Sequence, residues 1–378
     1  MDGLYVIALK LLANDRGKFF TLIVGVTFAV FLMMQMTCMF SGLMRRTGSD
    51  ILNINANMWV MDPSLNSQAD NIPMPDYILD AVRSIRGVKY AVPLYTGSGL
   101  LRLSNGRYQN ASIIGLDDST LYGRPHMIVG DIVNIYNDDA YIAVKDSEFE
   151  KLDGARVGTT FEVNDNRGVI VGVAEALVGG LFGTPTLYTT YNRAISSLPN
   201  MRFTLSYILV EPKSDKDIKY IKKKVDELQY VALTKDEFFN KNRSYYLYRT
   251  GLGMNVMIMT IVSFIVGLSI AGQTFYTFVI ENIQEFGALK AIGAKKSELI
   301  SIILFQAGVV GFLGYGFGIF LSCTVIALAK LRLGNYAAIV TLENMFVTLI
   351  MVLIIVAFSS YLGIQKVIKI DPFDIFRG

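Results

Sequence analysis

Four stretches of the 378-residue chain contain no Lys, Arg, Asp or Glu over a length that can cross a bilayer. They run over 19–44, 250–280, 299–329 and 344–365. A membrane-spanning helix needs about 20 consecutive apolar residues, and core helices of soluble proteins are rarely uncharged over that length. We therefore predict four transmembrane helices and exclude a soluble protein with long core helices.

The first of these stretches is expected to stay in the mature protein as an anchor. Its apolar region is longer than that of a signal peptide, and no small-x-small cleavage site follows it. Charged residues make up 18% of the chain, which is too many for a protein made of membrane helices alone. The charges concentrate in segment 45–249, which we predict to be a folded domain outside the membrane.

Segment 45–249 has the pattern of an α+β domain, with short apolar or alternating runs bounded by turn residues. An Asn105-Gly106 pair and the segment Asp165–Gly168 predict two hairpin turns. The central part, 117–183, is expected to form a small inserted lobe. Strands are predicted at Met58–Met61, Tyr90–Leu94, Ser112–Leu116, Tyr141–Val144, Thr160–Val163, Val169–Val173, Thr186–Thr189 and Ser206–Val210, and helices at Pro75–Ile85 and Ser214–Glu227. The predicted fold class is thus membrane α-helical, with four transmembrane helices and an extracytoplasmic α+β domain between the first and second.

No pattern in this domain predicts catalysis or a bound cofactor. The chain has one histidine, His126, in a loop-like context, and two cysteines, too few for a disulfide scaffold or a cysteine zinc cluster. Asp117 and Asp118 follow a predicted strand and are interpreted as turn or cap residues. Gly179-Gly180 lacks the Gly-Lys-Ser/Thr ending of a phosphate loop. The net charge of +3 gives no sign of a nucleic-acid partner. We expect a non-enzymatic chain without a metal site, in contact with membrane lipids.

The distribution of Lys and Arg predicts the orientation in the membrane. Basic residues flank the spans in segment 1–18, in the loop 281–298 and in the tail 366–378, which places all three on the cytoplasmic side. The external side then receives 45–249 and the short loop 330–343. Residues 1–18 have an apolar face and are predicted to form an interfacial helix. Both termini are therefore expected in the cytoplasm of a bacterium, with the large domain in the periplasm.

The loop between the second and third spans predicts a short amphipathic helix. Ile283, Phe286, Leu289 and Ile292 recur at helical spacing, Gly293 is a natural helix stop, and Ser297 is a candidate cap for the next helix. Two interpretations stay open for this loop. It is either a connector resting on lipid headgroups or a docking helix for a cytoplasmic partner.

The third span carries several glycines, of which Gly311, Gly314 and Gly318 are predicted packing positions. Gly314 and Gly318 form a Gly-x-x-x-Gly pair, which lets two helices approach closely. Packing within the chain is favoured over dimerisation.

The loop sequence Glu-Asn-Ile-Gln-Glu-Phe-Gly-Ala-Leu-Lys-Ala-Ile-Gly-Ala, from Glu281, resembles the coupling segment of MacB/FtsX-type (type VII) ABC transporter permeases. The segment from Ile85 to Pro93 resembles the Gly-Val element early in the family's external domain, and Asp371-Pro-Phe-Asp-Ile-Phe-Arg resembles its closing tail. The end of the first span and the chain length are most similar to the DevC branch.

The resemblance implies that the chain is a permease subunit and that ATP and Mg are bound by a separate ABC ATPase subunit. No Walker A motif occurs in the sequence. Phe286 and Leu289 would be apolar knobs in a groove of that ATPase, and Glu281, Glu285 and Lys290 would set the register by charge. The residues that the resemblance assigns to coupling are Glu281, Ile283, Glu285, Phe286, Gly287, Leu289, Lys290, Ala291 and Gly293.

The resemblance also implies a dimer, of identical or different chains, that works by mechanotransmission, in which ATP-driven closure moves the external domain. Export through a periplasmic adaptor, of the membrane fusion type, and an outer-membrane duct is the favoured function. Regulation of a cell-wall hydrolase, as in FtsX, and extraction of lipoproteins stay open as alternatives. The exported compound is not specified by any motif.

Overall fold

The computed structural model describes residues 2–14, 16–68, 70–145, 149–177, 183–197, 205–333 and 336–368. They form two compact units. One unit contains 1–42 and 253–378, and the other contains 43–252. The predicted tail segment from Asp371 and the Gly179-Gly180 pair lie outside the described residues.

The first unit is helical. Within the described ranges, four of its helices are long and apolar enough to cross a membrane. The helices of this unit are α1 (Asp2–Asn14), α2 (Arg16–Arg46), α8 (Gly251–Glu281), α9 (Ile283–Ala291), α10 (Lys296–Arg332) and α11 (Leu342–Ile368). Helix α2 continues past the boundary between the units at its C-terminal end.

Each long helix extends beyond the charge-free stretch that predicts it. Helix α2 begins at Arg16 and α10 ends at Arg332, because charged residues at the ends of a span continue the helix while their head groups reach water. The coupling helix α9 is shorter than the predicted segment 281–298, since Lys296 already belongs to α10.

Helix α1 packs on α10 through Ala8 and Leu12, which are buried, and through Leu11, which is half-buried. The fully buried Gln306 of α10 donates a hydrogen bond from Nε2 to the carbonyl oxygen of Ala8 at 3.0 Å. Ile7 of the same helix is exposed.

The second unit is an α+β domain, as predicted. Its helices are α3 (Ser49–Asn53), α4 (Tyr77–Arg83), α5 (Tyr191–Ser197), α6 (Ile218–Glu227) and α7 (Lys235–Tyr248). Its strands are β1 (Met58–Met61), β2 (Val88–Arg102), β3 (Tyr108–Leu116), β4 (His126–Val129), β5 (Ala140–Val144), β6 (Thr160–Val163), β7 (Asn166–Glu175), β8 (Thr186–Thr190), β9 (Tyr207–Pro212) and β10 (Val231–Thr234).

The strands form one sheet in the order β10-β1-β9-β2-β3-β8-β5-β7-β4. Strand β6 pairs with both β2 and β7, so β2, β3, β8, β5, β7 and β6 close into a ring. Leu101, Ile113, Phe161 and Leu187 belong to one buried core cluster in these strands. The ring includes β2, β3 and β8, which lie outside 117–183. The prediction that 117–183 forms a lobe of its own is therefore wrong.

Both predicted hairpins are present, with one shift. Gly106 has a φ of +80° in the turn between β2 and β3. The second turn lies at Asn164 and Asp165, both with positive φ, and not at Asp165–Gly168. Val163 pairs with Asn166 across it, which makes a two-residue turn.

Candidate functional site

The coupling helix α9 ends in a Schellman motif. Gly293 has a φ of +107°, a conformation that disfavours any residue with a Cβ. The amide of Ala294 donates to the carbonyl oxygen of Leu289 at 3.0 Å, and the amide of Gly293 donates to the carbonyl oxygen of Lys290 at 3.1 Å. The predicted stop at Gly293 is confirmed. The predicted cap at Ser297 is wrong, because the N-cap of α10 is Lys295, whose amide bonds the Glu298 carboxylate at 2.8 Å.

Phe286 is a core residue of the helical unit. Its side chain is 1% exposed and belongs to the same buried cluster as Leu299 and Ile302 of α10. Gly287 is buried beside it, and Leu289 is half-buried against the same cluster. The expectation that Phe286 projects as an apolar knob is therefore corrected. Its ring anchors α9 to the chain's own core.

The exposed face of the coupling segment is a different one. Gln284, Ala288 and Ile292 are exposed at four-residue spacing, and Ala291 and Gly293 are exposed next to them. Ile292 is 85% exposed, in a segment between two spans rather than within one. Lys295 and Lys296 follow directly and are also exposed. We call Gln284, Ala288, Ile292, Lys295 and Lys296 the coupling face.

The charged residues of the segment contact other parts of the helical unit. Glu281 forms an ion pair with Lys18 of α2 at 3.3 Å. Lys290 donates from Nζ to the carbonyl oxygen of Ile368, at the C-terminal end of α11, at 3.2 Å. A cation there complements the negative end of the helix dipole. Glu285 is half-buried, and its Oε2 has no hydrogen-bond partner among the described residues.

Three glycines of α10, at the predicted packing positions, lie against two neighbouring helices. A Cβ on Gly314 would approach Val26 Cγ1 of α2 to 2.5 Å, and one on Gly318 would approach Val30 to the same distance. A Cβ on Gly311 would approach Val356 of α11 to 2.6 Å. The Gly-x-x-x-Gly pair thus lies at a helix contact within the chain.

A polar network holds the segment between α10 and α11 to the C-terminal part of α2. The amide of Ile339 donates to the Cys38 carbonyl at 3.0 Å. Asn344 accepts from Ser41 Oγ at 2.7 Å and donates to the Ile339 carbonyl at 2.9 Å. A Cβ on Gly42 would lie 1.5 Å from the Ala337 carbonyl oxygen, so only glycine fits there. No sequence motif indicates this network, because its partners are about 300 positions apart.

In the external unit, Asp50 is half-buried and its Oδ1 atom is shielded from solvent. Gln68 donates to Asp50 Oδ2 at 2.5 Å, and Asp50 Oδ1 has no partner in the described part of the chain. Burial raises the pKa of Asp50, and the hydrogen bond from Gln68 lowers it to a smaller extent. Nearby, Asn242 Oδ1 accepts from the backbone amide of Gln68 at 2.9 Å, and Asn242 Nδ2 donates to the carbonyl oxygen of Thr47 at 2.6 Å. This cluster links α3 to α7 and is structural in character.

The described residues of the chain contain no group of His, Cys, Asp and Glu that could hold a metal ion. His126 is exposed at the start of the edge strand β4. Asp117 accepts at Oδ2 from Ser119 Oγ and from the Thr120 amide, both at 2.8 Å, as a turn residue does.

Two family models match the chain. The MacB-like periplasmic core domain matches residues 19–228, which is more than half of the chain, and the FtsX-like permease C-terminal domain matches residues 256–372. The residues between the two matches, 229–255, include the start of α8 at Gly251.

Curated relatives of the chain are named as permease proteins. A protein named as a putative hemin transport system permease, HrtB, of Staphylococcus epidermidis is 25% identical over 167 residues, 44% of this chain and 44% of its own. The macrolide export ATP-binding/permease protein MacB of Pasteurella multocida is 27% identical over 247 residues, 62% of this chain and 38% of its own. The chain thus matches less than half the length of these relatives.

Among solved structures, the extracellular domain of YknZ from Gram-positive bacteria aligns with a TM-score of 0.37 and 16% identity over 47% of this chain and 98% of that domain. The periplasmic region of MacB from Actinobacillus actinomycetemcomitans aligns with a TM-score of 0.38 and 14% identity over 49% of this chain and 92% of that region. By the two family models, which together cover most of its length, the chain belongs to the MacB/FtsX-type ABC transporter permeases.

Proposed function

We propose that this chain works with a separate ABC ATPase subunit and that the coupling face docks on that subunit. The observation that carries the proposal is the 85% exposure of Ile292, in the segment that joins the second and third spans. An isoleucine in this position gains about 1.5–3 kcal/mol when a partner buries it. Lys295 and Lys296 add positive charge beside it, which favours an acidic rim on the partner.

Phe286 has a complementary role in this proposal. Because its ring is packed in the core of the helical unit, a displacement of α9 is passed on to α10 rather than absorbed by a loose loop. The ion pair of Glu281 with Lys18 and the bond of Lys290 to Ile368 add links from the coupling segment to α2 and α11. Glu281 and Lys290 therefore hold the coupling segment in place on its own unit, and Ile292 contacts the ATPase.

The transport cycle that we propose is mechanotransmission. ATP and Mg bind in the ATPase subunit, a second permease copy completes the complex, and movement of the long helices shifts the periplasmic domain. Both termini lie in the cytoplasm of a bacterial cell, and the chain sits in the inner membrane. Export through a periplasmic adaptor and an outer-membrane duct is the favoured activity. The names of the relatives, macrolide export and hemin transport, support transport and leave the compound open.

The docking test compares three variants of the full chain co-expressed with its ATPase. Ile292→Asp should abolish co-purification of the ATPase, because it puts a carboxylate into an apolar socket. Ile292→Leu keeps the apolar contact and should bind like the wild type. Leu331→Asp is the matched control, since Leu331 is 82% exposed at the opposite end of α10. Undiminished ATPase binding by Ile292→Asp would show that the coupling face is assigned wrongly.

Export itself is tested separately. Deletion of a neighbouring adaptor gene should abolish the ATPase-dependent resistance or secretion phenotype. An unchanged phenotype would exclude export through an adaptor and leave hydrolase regulation or lipoprotein extraction, which co-purified partners would tell apart.

A further inference from the structure

The C-terminal half of α2 is rich in sulfur. Five of the seven residues from Met33 to Met39 are methionine or cysteine, whereas the whole chain contains 16 methionines and two cysteines. Met34 and Cys38 are four residues apart, so their side chains lie on the same face of the helix. Both are fully buried, and both belong to a small cluster that is separate from the main core of the helical unit.

This small cluster, which we call the sulfur cluster, differs in composition from the core beside it. Its members among the described residues are Met34, Cys38, Met39, Ile326, Tyr336, Ala338 and Met345. Four of these seven residues carry sulfur. The main core of the same unit is several times larger, and its described members include two methionines, Met33 and Met351. Methionine is a common gap filler in cores, but packing alone does not call for so much sulfur at one place.

Two hydrogen-bond donors of α11 are directed at sulfur atoms of α2. Asn344 Nδ2 donates to Cys38 Sγ, and Thr348 Oγ1 donates to Met34 Sδ, each at 3.6 Å. Both donor residues are buried. Around metal ions, donors of this kind orient the ligand atoms and tune their basicity. The two sulfur atoms of α2 are therefore held in place by a neighbouring helix.

We propose that Cys38 Sγ, Met34 Sδ and Met345 Sδ bind one Cu(I) ion. Thiolate and thioether sulfur are soft ligands, and such ligands select Cu(I). The ion replaces the proton of the Cys38 thiol, which leaves to water, and copper stays in the Cu(I) state throughout. One thiolate and one monovalent cation cancel, and the thioethers are neutral. The filled site thus has no net charge, which suits a position within a transmembrane helix, where an uncompensated charge is costly.

The same ligands disfavour divalent ions. Zn(II) is held in proteins by thiolate, imidazole and carboxylate groups, almost always in a tetrahedral set. The proposed site supplies one thiolate, and the described part of the chain contains no group of His, Cys, Asp and Glu that could hold a metal ion. An excess of Zn(II) should therefore leave bound Cu(I) in place.

The test uses the full chain in detergent under anaerobic conditions. Cu(I) is added as the complex of a coloured chelator, whose absorbance reports how much copper the protein removes. The wild type should bind one Cu(I) per chain. Cys38→Ser and the double variant Met34→Leu/Met345→Leu should each weaken binding by more than about tenfold, because loss of an outer-shell partner alone costs about 10–100-fold. Met257→Leu/Met259→Leu is the matched control, since both side chains are exposed on α8.

Two further measurements separate loss of a ligand from loss of the fold. The X-ray absorption spectrum of the bound copper should show sulfur neighbours. Cu(I) should raise the melting temperature of the wild type, followed by circular dichroism, and should leave that of Cys38→Ser unchanged. Without copper, the variants should melt like the wild type, because each substitution keeps the size of the side chain close to the original.

Four results would overturn the proposal. They are the absence of stoichiometric binding by the wild type, undiminished binding by Cys38→Ser, displacement of Cu(I) by Zn(II), and a copper spectrum dominated by nitrogen or oxygen neighbours. Cys323→Ser adds a control for the second cysteine, which lies on α10. It should bind Cu(I) like the wild type, and a loss as large as that of Cys38→Ser would show that the proposed ligand set is wrong.

Discussion

At the scale of single residues, the coupling segment shows where a sequence pattern stops being informative. Ile283, Phe286, Leu289 and Ile292 are spaced by three residues, and the sequence alone suggests one apolar stripe. At about 100° per residue, a strict three-residue repeat turns by about 60° at each step. Ile292 therefore lies about opposite Ile283 around the helix axis. The structure divides the stripe accordingly, with Phe286 in the core and Ile292 exposed.

The first prediction at this scale contrasts these two side chains. Phe286→Ala should destabilise the helical unit by about 3–5 kcal/mol, the usual cost of removing a buried phenylalanine ring. Ile292→Ala should change its stability by less than about 1 kcal/mol, because the side chain packs on little. Thermal unfolding in detergent, followed by circular dichroism, measures both. Equal effects of the two substitutions would contradict the burial pattern.

The second prediction concerns Asp50. Because burial raises its pKa in the folded chain, the folded state favours the protonated carboxyl group. The stability tied to this group is fully present below its unfolded pKa, about 4, and is lost as the pH rises through the folded pKa. Asp50→Asn should therefore raise the melting temperature of the external unit at pH 7–8, and the gain should vanish near pH 4.

Fluorescence of Trp59, which is buried in the core cluster of the external unit, reports this melt. Asp215→Asn is the control, since Asp215 is exposed. A lower melting temperature of Asp50→Asn at neutral pH would mean that the charged form of Asp50 is stabilising after all.

At the scale of elements, the spans and the glycine pair follow from local sequence, and the polar network at Asn344 does not. A charge-free stretch and a Gly-x-x-x-Gly pair are visible within one helix. The contact of Ile339 with Cys38 depends on the segment between α10 and α11 meeting α2 in the folded unit, which no local pattern specifies. Helix α7 is a middle case. The capping box of Thr234 and Glu237 is a local signal that could have indicated its start.

Substitution of two glycines of α10 by alanine should change the stability of the helical unit in opposite directions. Gly318 touches α2, whereas a Cβ on Gly316 would meet nothing within 4 Å. Gly316→Ala should stabilise the helix by about 0.5–1 kcal/mol through its higher helix propensity. Gly318→Ala should lower stability despite the same gain, because its Cβ would clash with Val30 and approach the Thr27 carbonyl. Thermal melts of the two variants in detergent measure these changes. A higher melting temperature for both variants would argue against close packing of α10 on α2.

At the scale of the whole molecule, the order of membrane and external segments is predictable and the topology of the sheet is not. Charge counts along the chain separate the spans from the external domain. The ring of six strands depends on parallel pairing of β3 with β8 and of β5 with β7, and these strands are far apart in sequence. The edge strand β4 is mostly exposed and carries little of the hydrophobic alternation that marks a strand. Membership of the DevC branch stays a prediction.

The proposal that a separate ATPase docks on the coupling face is tested most directly by site-specific photo-cross-linking. A photoreactive amino acid replaces Ile292 in one variant and Leu331 in a second, and each variant is co-expressed with the ATPase subunit in intact membranes. We expect an ATPase adduct from position 292 and none from position 331. An adduct from 331 but not from 292, or no adduct from either while the ATPase co-purifies, would contradict docking at this face.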